Sequence, residues 1–192
     1  MKPTTNEYEQ LSEQVKAFVD RQYEDAYRLI DACRHPRTGL YADAYMSFGA
    51  NPEQRCSVAA TGVGLIGLAV ADYEGWDDRA ADKAKLTLNA ALGRVAGCLP
   101  ARDEATGFFA HFIDMDTGMN LGSEISTIDT SLLVAGALFA GRHFRDKAPE
   151  IATMARELLE QIDWTVVIAD KRAGTINMIV QDGRGTAPVP AY

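Results

Sequence analysis

The feature that most constrains this chain is an alternation. Segments with one apolar stripe take turns with segments that are apolar or small on every side. Residues 7–33 carry Leu11, Val15, Phe18, Val19, Tyr23, Tyr27 and Leu29–Ile30 at spacings of three and four, the stripe of an amphipathic helix. Residues 57–73 read Val58-Ala59-Ala60-Thr61-Gly62-Val63-Gly64-Leu65-Ile66-Gly67-Leu68 and onward with no polar side. A helix of that kind belongs inside a fold, and its small residues let neighbouring helices approach. Residues 78–97 are amphipathic again, 127–144 are a second buried helix, and 149–164 a third amphipathic one. The order describes helical hairpins, one partner outside and one inside, around a common centre. The expected fold class is all-α.

A repeat supports this. Thr38-Gly39-Leu40-Tyr41-Ala42-Asp43 matches Thr106-Gly107-Phe108-Phe109-Ala110-His111 at an offset of 68, and Ala173-Gly174-Thr175-Ile176-Asn177 reads as a third copy. Each of the first two copies precedes a buried helix. Repeated units that cannot bury their own faces argue for a solenoid or a closed toroid. Three connecting segments (36–55, 98–125 and 165–192) then collect on one rim, and the second is long enough to suggest function.

The 192 residues read as one domain. With 47% hydrophobic residues the chain is not a disordered one. A net charge of −8 supplies no basic cluster for nucleic acid. Cys33, Cys56 and Cys98 form no CxxC pair, so they read as reduced thiols rather than a disulfide framework or a zinc site. No apolar stretch is long enough to span a bilayer. The N-terminus shows no secretory leader, so the expected location is cytoplasmic, with a periplasmic one requiring a leader removed from this sequence.

Chemistry concentrates between Gly107 and Asp129. This stretch holds Asp114, Asp116, Glu124, Asp129, His111 and the Phe108, Phe109, Phe112 cluster. Acids and aromatics on a rim suit a carbohydrate: aromatic faces stack on sugar rings and carboxylates accept hydroxyl hydrogen bonds. Glycoside hydrolysis needs one protonated and one ionised carboxyl group. Structural roles compete at every position. Ser126-Thr127-Ile128-Asp129 also fits a helix cap. Asp114-Met115-Asp116-Thr117-Gly118 also fits a turn, and lacks the spacing of a calcium loop. His111 and the phenylalanines also fit a core. The near-GxGxxG of Gly62, Gly64 and Gly67 has no strand before it and reads as helix packing. A terpenoid-cyclase metal motif would need a third acid that Asp77-Asp78 lacks.

Several blocks together carry a resemblance. They are Thr38-Gly39-Leu40, Ser57 to Leu65, Gly75-Trp76, Gly107-Phe108-Phe109-Ala110-His111-Phe112-Ile113-Asp114-Met115-Asp116-Thr117-Gly118, Ser123-Glu124-Ile125-Ser126-Thr127-Ile128-Asp129-Thr130 and Asp163-Trp164. From about Thr38 to Trp164 the chain resembles the N-terminal half of the glucoamylase-like bacterial proteins of glycoside hydrolase family 144. The resemblance implies an (α/α)6 toroid, inverting hydrolysis of a β-glucan such as β-1,2-glucan, and no metal or organic cofactor. It implies that Glu124 and Asp129 do direct substrate or catalytic work. Asp114, Asp116, His111, Phe109 and Asp43 become the expected substrate contacts. A toroid of six hairpins needs twelve helices, and only five are legible here. About half a toroid would leave buried helices with one face uncovered, so the isolated chain is expected to self-associate or to meet a complementary C-terminal chain. The competing expectation is a non-catalytic glycan-binding or scaffold module.

Overall fold

The computed structural model describes residues 7–44 and 54–186. Five α-helices are present among them: α1 (Glu13–Ala32), α2 (Val58–Glu74), α3 (Ala80–Ala91), α4 (Thr127–His143) and α5 (Pro149–Glu160). The two helices that read as apolar all round, α2 and α4, lie against one another as an inner layer, with α3 and α5 outside them. Glycine makes this contact possible. A Cβ on Gly136 would stand 2.1 Å from the Gly62 carbonyl oxygen, and one on Gly62 would stand 2.3 Å from that of Leu132. The core between the layers holds Leu65, Leu68, Leu88, Phe108, Leu133, Phe144, Ile151 and Leu158, all buried.

Both inner helices start at the same rim. Ser57 and Ser126 are their N-caps, each side-chain hydroxyl accepting an N–H from the residue three positions on. The rim is not the set of loops that an all-helical reading expects. Short strands build it: β1 (Arg55–Ser57) pairs with β2 (Phe112–Asp114), and β3 (Ile125–Ser126) pairs with β6 (Ile179–Gln181), which pairs with β7 (Arg184–Thr186). A separate pair joins β4 (Ile168–Asp170) to β5 (Thr175–Ile176). All pairings are antiparallel. Stretches of two or three residues are too short for a period-two pattern to show in sequence.

The three sequence copies are structural copies. Gly39, Gly107 and Gly174 all have positive φ, 75°, 79° and 67°, the left-handed turn that glycine adopts without strain. Behind the turn, Arg34 bridges Tyr41, Arg102 bridges Phe109 and Ile168 pairs Ile176. Beyond it, Ala42 bridges Cys56 and Ala110 bridges Ile125, so each of the first two copies reaches the strand that opens the following inner helix. The Tyr41 N–H donates to the Thr61 hydroxyl, and the Phe109 N–H to that of Thr130.

Some boundaries differ from the pattern reading. The segment expected as one helix over 7–33 breaks at Leu11: a 3-10 turn spans Glu7–Gln10, and Ser12 caps α1. The α1 stripe is largely uncovered, since Leu11, Val15, Phe18, Val19, Tyr23 and Leu29 are exposed and only Tyr27 is buried in that helix. The helix expected to reach residue 97 stops at Ala91, because Gly93 turns left-handed (φ 72°) and the Arg94 N–H closes back on the Asn89 carbonyl. The expected helices over 127–144 and 149–164 end at His143 and Glu160. Of the first rim segment, residues 45–53 lie outside the described residues, as do 187–192 of the third. No helix among the described residues is long and apolar enough to cross a membrane.

Candidate functional site

The rim at the start of α4 brings three of the expected residues together. The Asp43 N–H donates to the Arg55 carbonyl in the first copy, and the His111 N–H donates to the Glu124 carbonyl in the second. The same backbone geometry that pairs Asp43 with Arg55 (3.1 Å) therefore pairs His111 with Glu124, Nδ1 to Oε1 at 2.9 Å. The other ring nitrogen, Nε2, lies 3.5 Å from Asp129 Oδ1. His111 thus stands between two carboxylates.

The two carboxylates have different surroundings. Glu124 sits on the open rim, its side chain 45% exposed, whereas that of Asp129 is 12% exposed. Asp129 lies in the first turn of α4, where the helix N-terminus favours negative charge. The Ser126 hydroxyl donates to its Oδ2 at 2.5 Å and accepts its backbone N–H at 3.1 Å. The cap reading of Asp129 and the site reading are therefore compatible: one oxygen serves the cap and the other faces His111. In the first copy the corresponding residue is Ala60, so the acid is particular to the second copy.

The remaining expected contacts separate from this cluster or change role. Asp114 is committed to its own turn: its Oδ1 accepts from the Asp116 and Thr117 N–H groups and from the Thr117 hydroxyl. Those hydrogen bonds, the Thr117 N–H foremost, hold its pKa below the usual carboxylate value. Asp116 is bound by Arg37, 2.8 Å from Nε, and stands 3.8 Å from His35. Phe109 is a correction. It is 1% exposed beneath the Arg102 guanidinium, so it packs the core and offers no face to a sugar. The aromatic residue at the site is Phe112. Its ring stacks on His111 at 3.7 Å, and the Arg55 guanidinium lies over it at 4.6 Å. Sequence reading singled out neither Arg55 nor this role of Phe112. The alignment of the first copy on the second, which sets Arg55 against Glu124, is the signal that points to Arg55.

Asp43, Arg55, Phe112, His111, Glu124 and Asp129 thus form one row across the starts of both inner helices. A concavity of about 820 Å³ lies elsewhere, between the middle of α1 (Val19 to Glu24) and the Glu74–Trp76 end of α2. The thiols take no part: burial pushes Cys56 up to about 12, against the opposing Thr61 hydroxyl, and raises Cys33 and Cys98 as well. Among the described residues no group of three or more His, Cys, Asp or Glu is arranged to hold a metal ion.

No family model matches the chain, and no curated protein sequence does. Solved structures do. An endo-β-1,2-glucanase from Chitinophaga pinensis, in complex with sophorotriose and glucose, superposes with a TM-score of 0.66 at 15% identity, covering 85% of this chain and 41% of that one. A glucoamylase-like protein from Bacteroides fragilis gives a TM-score of 0.69 at 15% identity, over 96% of this chain and 44% of that one. A β-1,2-glucanase from Parabacteroides distasonis gives 0.66 at 17% identity, over 86% and 24%. The chain spans less than half the length of each. Its fold is that of a part of the endo-β-1,2-glucanase and glucoamylase-like structures.

Proposed function

We propose that this chain forms part of the glycan cleft of an (α/α)6-toroid glycoside hydrolase acting on a β-glucan such as β-1,2-glucan, with inversion. The observation that carries the reading is the pair of carboxylates, Glu124 and Asp129, held on either side of one imidazole at the shared rim of the inner helices. Inverting hydrolysis uses one carboxylic acid to protonate the leaving oxygen and one carboxylate to activate water. The open Glu124 and the sheltered Asp129 are placed in environments different enough to divide those tasks. His111 and Asp43 contact the sugar hydroxyls in this reading, while Asp114 and Asp116 shape the rim that carries them.

The test is incubation with linear β-1,2-glucan and with other glucans, followed by chromatography of the products. Cleavage is expected, reduced by about 10²–10⁴-fold in Glu124→Gln or Asp129→Asn. Products of inverted anomeric configuration, read by NMR, support the mechanism; retained configuration refutes it.

A second reading has its own supporting observation. The faces of α2 and α4 that carry Val63, Ile128, Leu132, Leu138 and Phe139 are uncovered. A helical glycan-binding or scaffold module that meets another chain through this surface accounts for them. Glucan binding without cleavage, with folding intact, favours the module.

A further inference from the structure

We propose that the concavity between α1 and the end of α2 is a second glycan-binding site, remote from the His111 row, which takes a segment of a neutral glucan chain. The inference rests on the functional reading above for the identity of the glycan, and goes beyond it by giving that glycan a second holding point.

Local structure builds the concavity from both sides. Gly75 (φ 73°) closes α2 in the left-handed conformation, and the Trp76 N–H returns to the Ala71 carbonyl at 2.8 Å. That turn sets the indole against α1. Tyr23 meets it edge to face at 5.0 Å, and Tyr27 lies tilted against it at 6.1 Å. Tyr27 is buried, whereas Tyr23 and Trp76 line the concavity and Tyr23 is 48% exposed. On the other side, the 3-10 turn over Glu7–Gln10 brings Tyr8 back to α1, where its hydroxyl donates to Asp20 Oδ1 at 2.6 Å. The space between them, about 820 Å³, is of the size that ligand sites occupy, roughly 300–1,000 Å³.

The charges select the class of ligand. Glu24 is already engaged by Arg28. Arg21 and Glu74 also line the concavity, and among the described residues neither has an ion pair or a side-chain hydrogen bond. A simple anion entering here meets Asp20 and Glu74, and a simple cation meets Arg21. A sugar hydroxyl answers both, since it donates to a carboxylate and accepts from a guanidinium. The rings of Tyr8, Tyr23 and Trp76 offer apolar surface to the faces of sugar rings. A neutral chain of sugar rings therefore suits this lining better than an ion of either sign.

The 17 residues of α2 separate this end from the rim, about 25 Å at the helical rise of about 1.5 Å per residue. A long glucan held beside Trp76 keeps its remaining length near the row, where binding becomes an intramolecular event.

Indole N–H NMR on the full chain tests the site. The chain has two tryptophans, Trp76 and Trp164, so their signals are assigned by the loss of one in Trp164→Phe. Linear β-1,2-glucan is titrated into Glu124→Gln, so that the ligand is not consumed. The Trp76 signal is expected to move saturably while that of Trp164, whose N–H is held by the Leu159 carbonyl, stays in place. Arg21→Ala and Glu74→Ala are expected to raise the midpoint of that movement by about tenfold each, the loss of a hydrogen bond to a charged group, and Arg21→Lys to restore part of it. Both side chains are exposed, and an unmoved Trp164 signal reports intact folding in each variant. Oligolysine and inorganic phosphate, titrated in parallel, are expected to leave Trp76 unmoved. A Trp76 signal that ignores glucan, that responds to either ion instead, or that keeps its midpoint in both alanine variants overturns the site. Saturable glucan binding at Trp76 with no cleavage by the wild type leaves the site standing and refutes the hydrolase reading. Cleavage with an unmoved Trp76 does the reverse.

Discussion

At the scale of the residue, Asp129 shows how one side chain takes two roles. Its backbone N–H and one carboxylate oxygen belong to the Ser126 cap, and the other oxygen belongs to the His111 array. Ser57 caps α2 more simply, accepting only the Ala60 N–H at 3.3 Å. Ser126→Ala is therefore expected to cost about 1 kcal/mol or more in thermal or chemical unfolding, and more than Ser57→Ala in the same assay. Equal costs would show that the Ser126–Asp129 bond adds nothing. The motif around Glu124 and Asp129 made both acids legible in the sequence. The three phenylalanines were not separable there, because composition does not say which ring faces out. The positive-φ turn at Gly107 decides it: the chain then sends Phe108 and Phe109 into the core and leaves Phe112 on the rim beside His111.

At the scale of the element, the inner pair α2–α4 is the frame that sets the site. Its close approach depends on Gly62 and Gly136. Gly136→Ala would place a methyl group 2.1 Å from a backbone oxygen, which cannot rotate away. The helices would have to separate, at a cost of about 1–3 kcal/mol. A fall of several degrees in the melting temperature is expected, and an unchanged melting temperature would contradict the glycine contact. The far ends of the same helices are tied by Asp72, which accepts from His143 Nε2 at 2.8 Å and from Lys147. Burial pushes the Asp72 carboxyl up, but the hydrogen bonds and charges of Lys147 and His143 outweigh it and hold the pKa below the usual value. A depressed carboxylate stabilises the fold above the unfolded-state value of about 3.9 and loses that contribution as pH falls through the folded value. Unfolding measured from pH 6 down to 2 should show a loss of stability below about pH 4 that is smaller in Asp72→Asn; an identical acid limb in both proteins would remove Asp72 from this role. The five helices were legible because each carries a long stripe or a long apolar run. The strands were not, since pairing with a neighbouring copy, rather than any local pattern, makes two or three residues extended.

At the scale of the molecule, the alternation of striped and wholly apolar helices named the layers correctly, and the 68-residue repeat placed the rim. The uncovered surface is wider than that pattern suggested. It includes one face of α2 and α4 and most of the α1 stripe, with Phe18 63% and Phe139 50% exposed. Apolar surface of this extent favours contact with another surface of the same kind. The isolated chain is therefore expected to elute from size-exclusion chromatography as an associated species, and a well-folded monomer across a range of concentrations would contradict that expectation. The helical layers are those of a part of the solved structures it superposes on, and the chain spans 41% of the Chitinophaga pinensis one.

The central claim is that the Glu124–His111–Asp129 row is a site of glucan hydrolysis. Product chromatography after incubation with linear β-1,2-glucan, run side by side on the wild type, Glu124→Gln and Asp129→Asn, tests it most directly. The account predicts shortened glucan products from the wild type and at least about a hundredfold less from either variant. Absence of cleavage by the wild type, or cleavage undiminished in both folded variants, would contradict it.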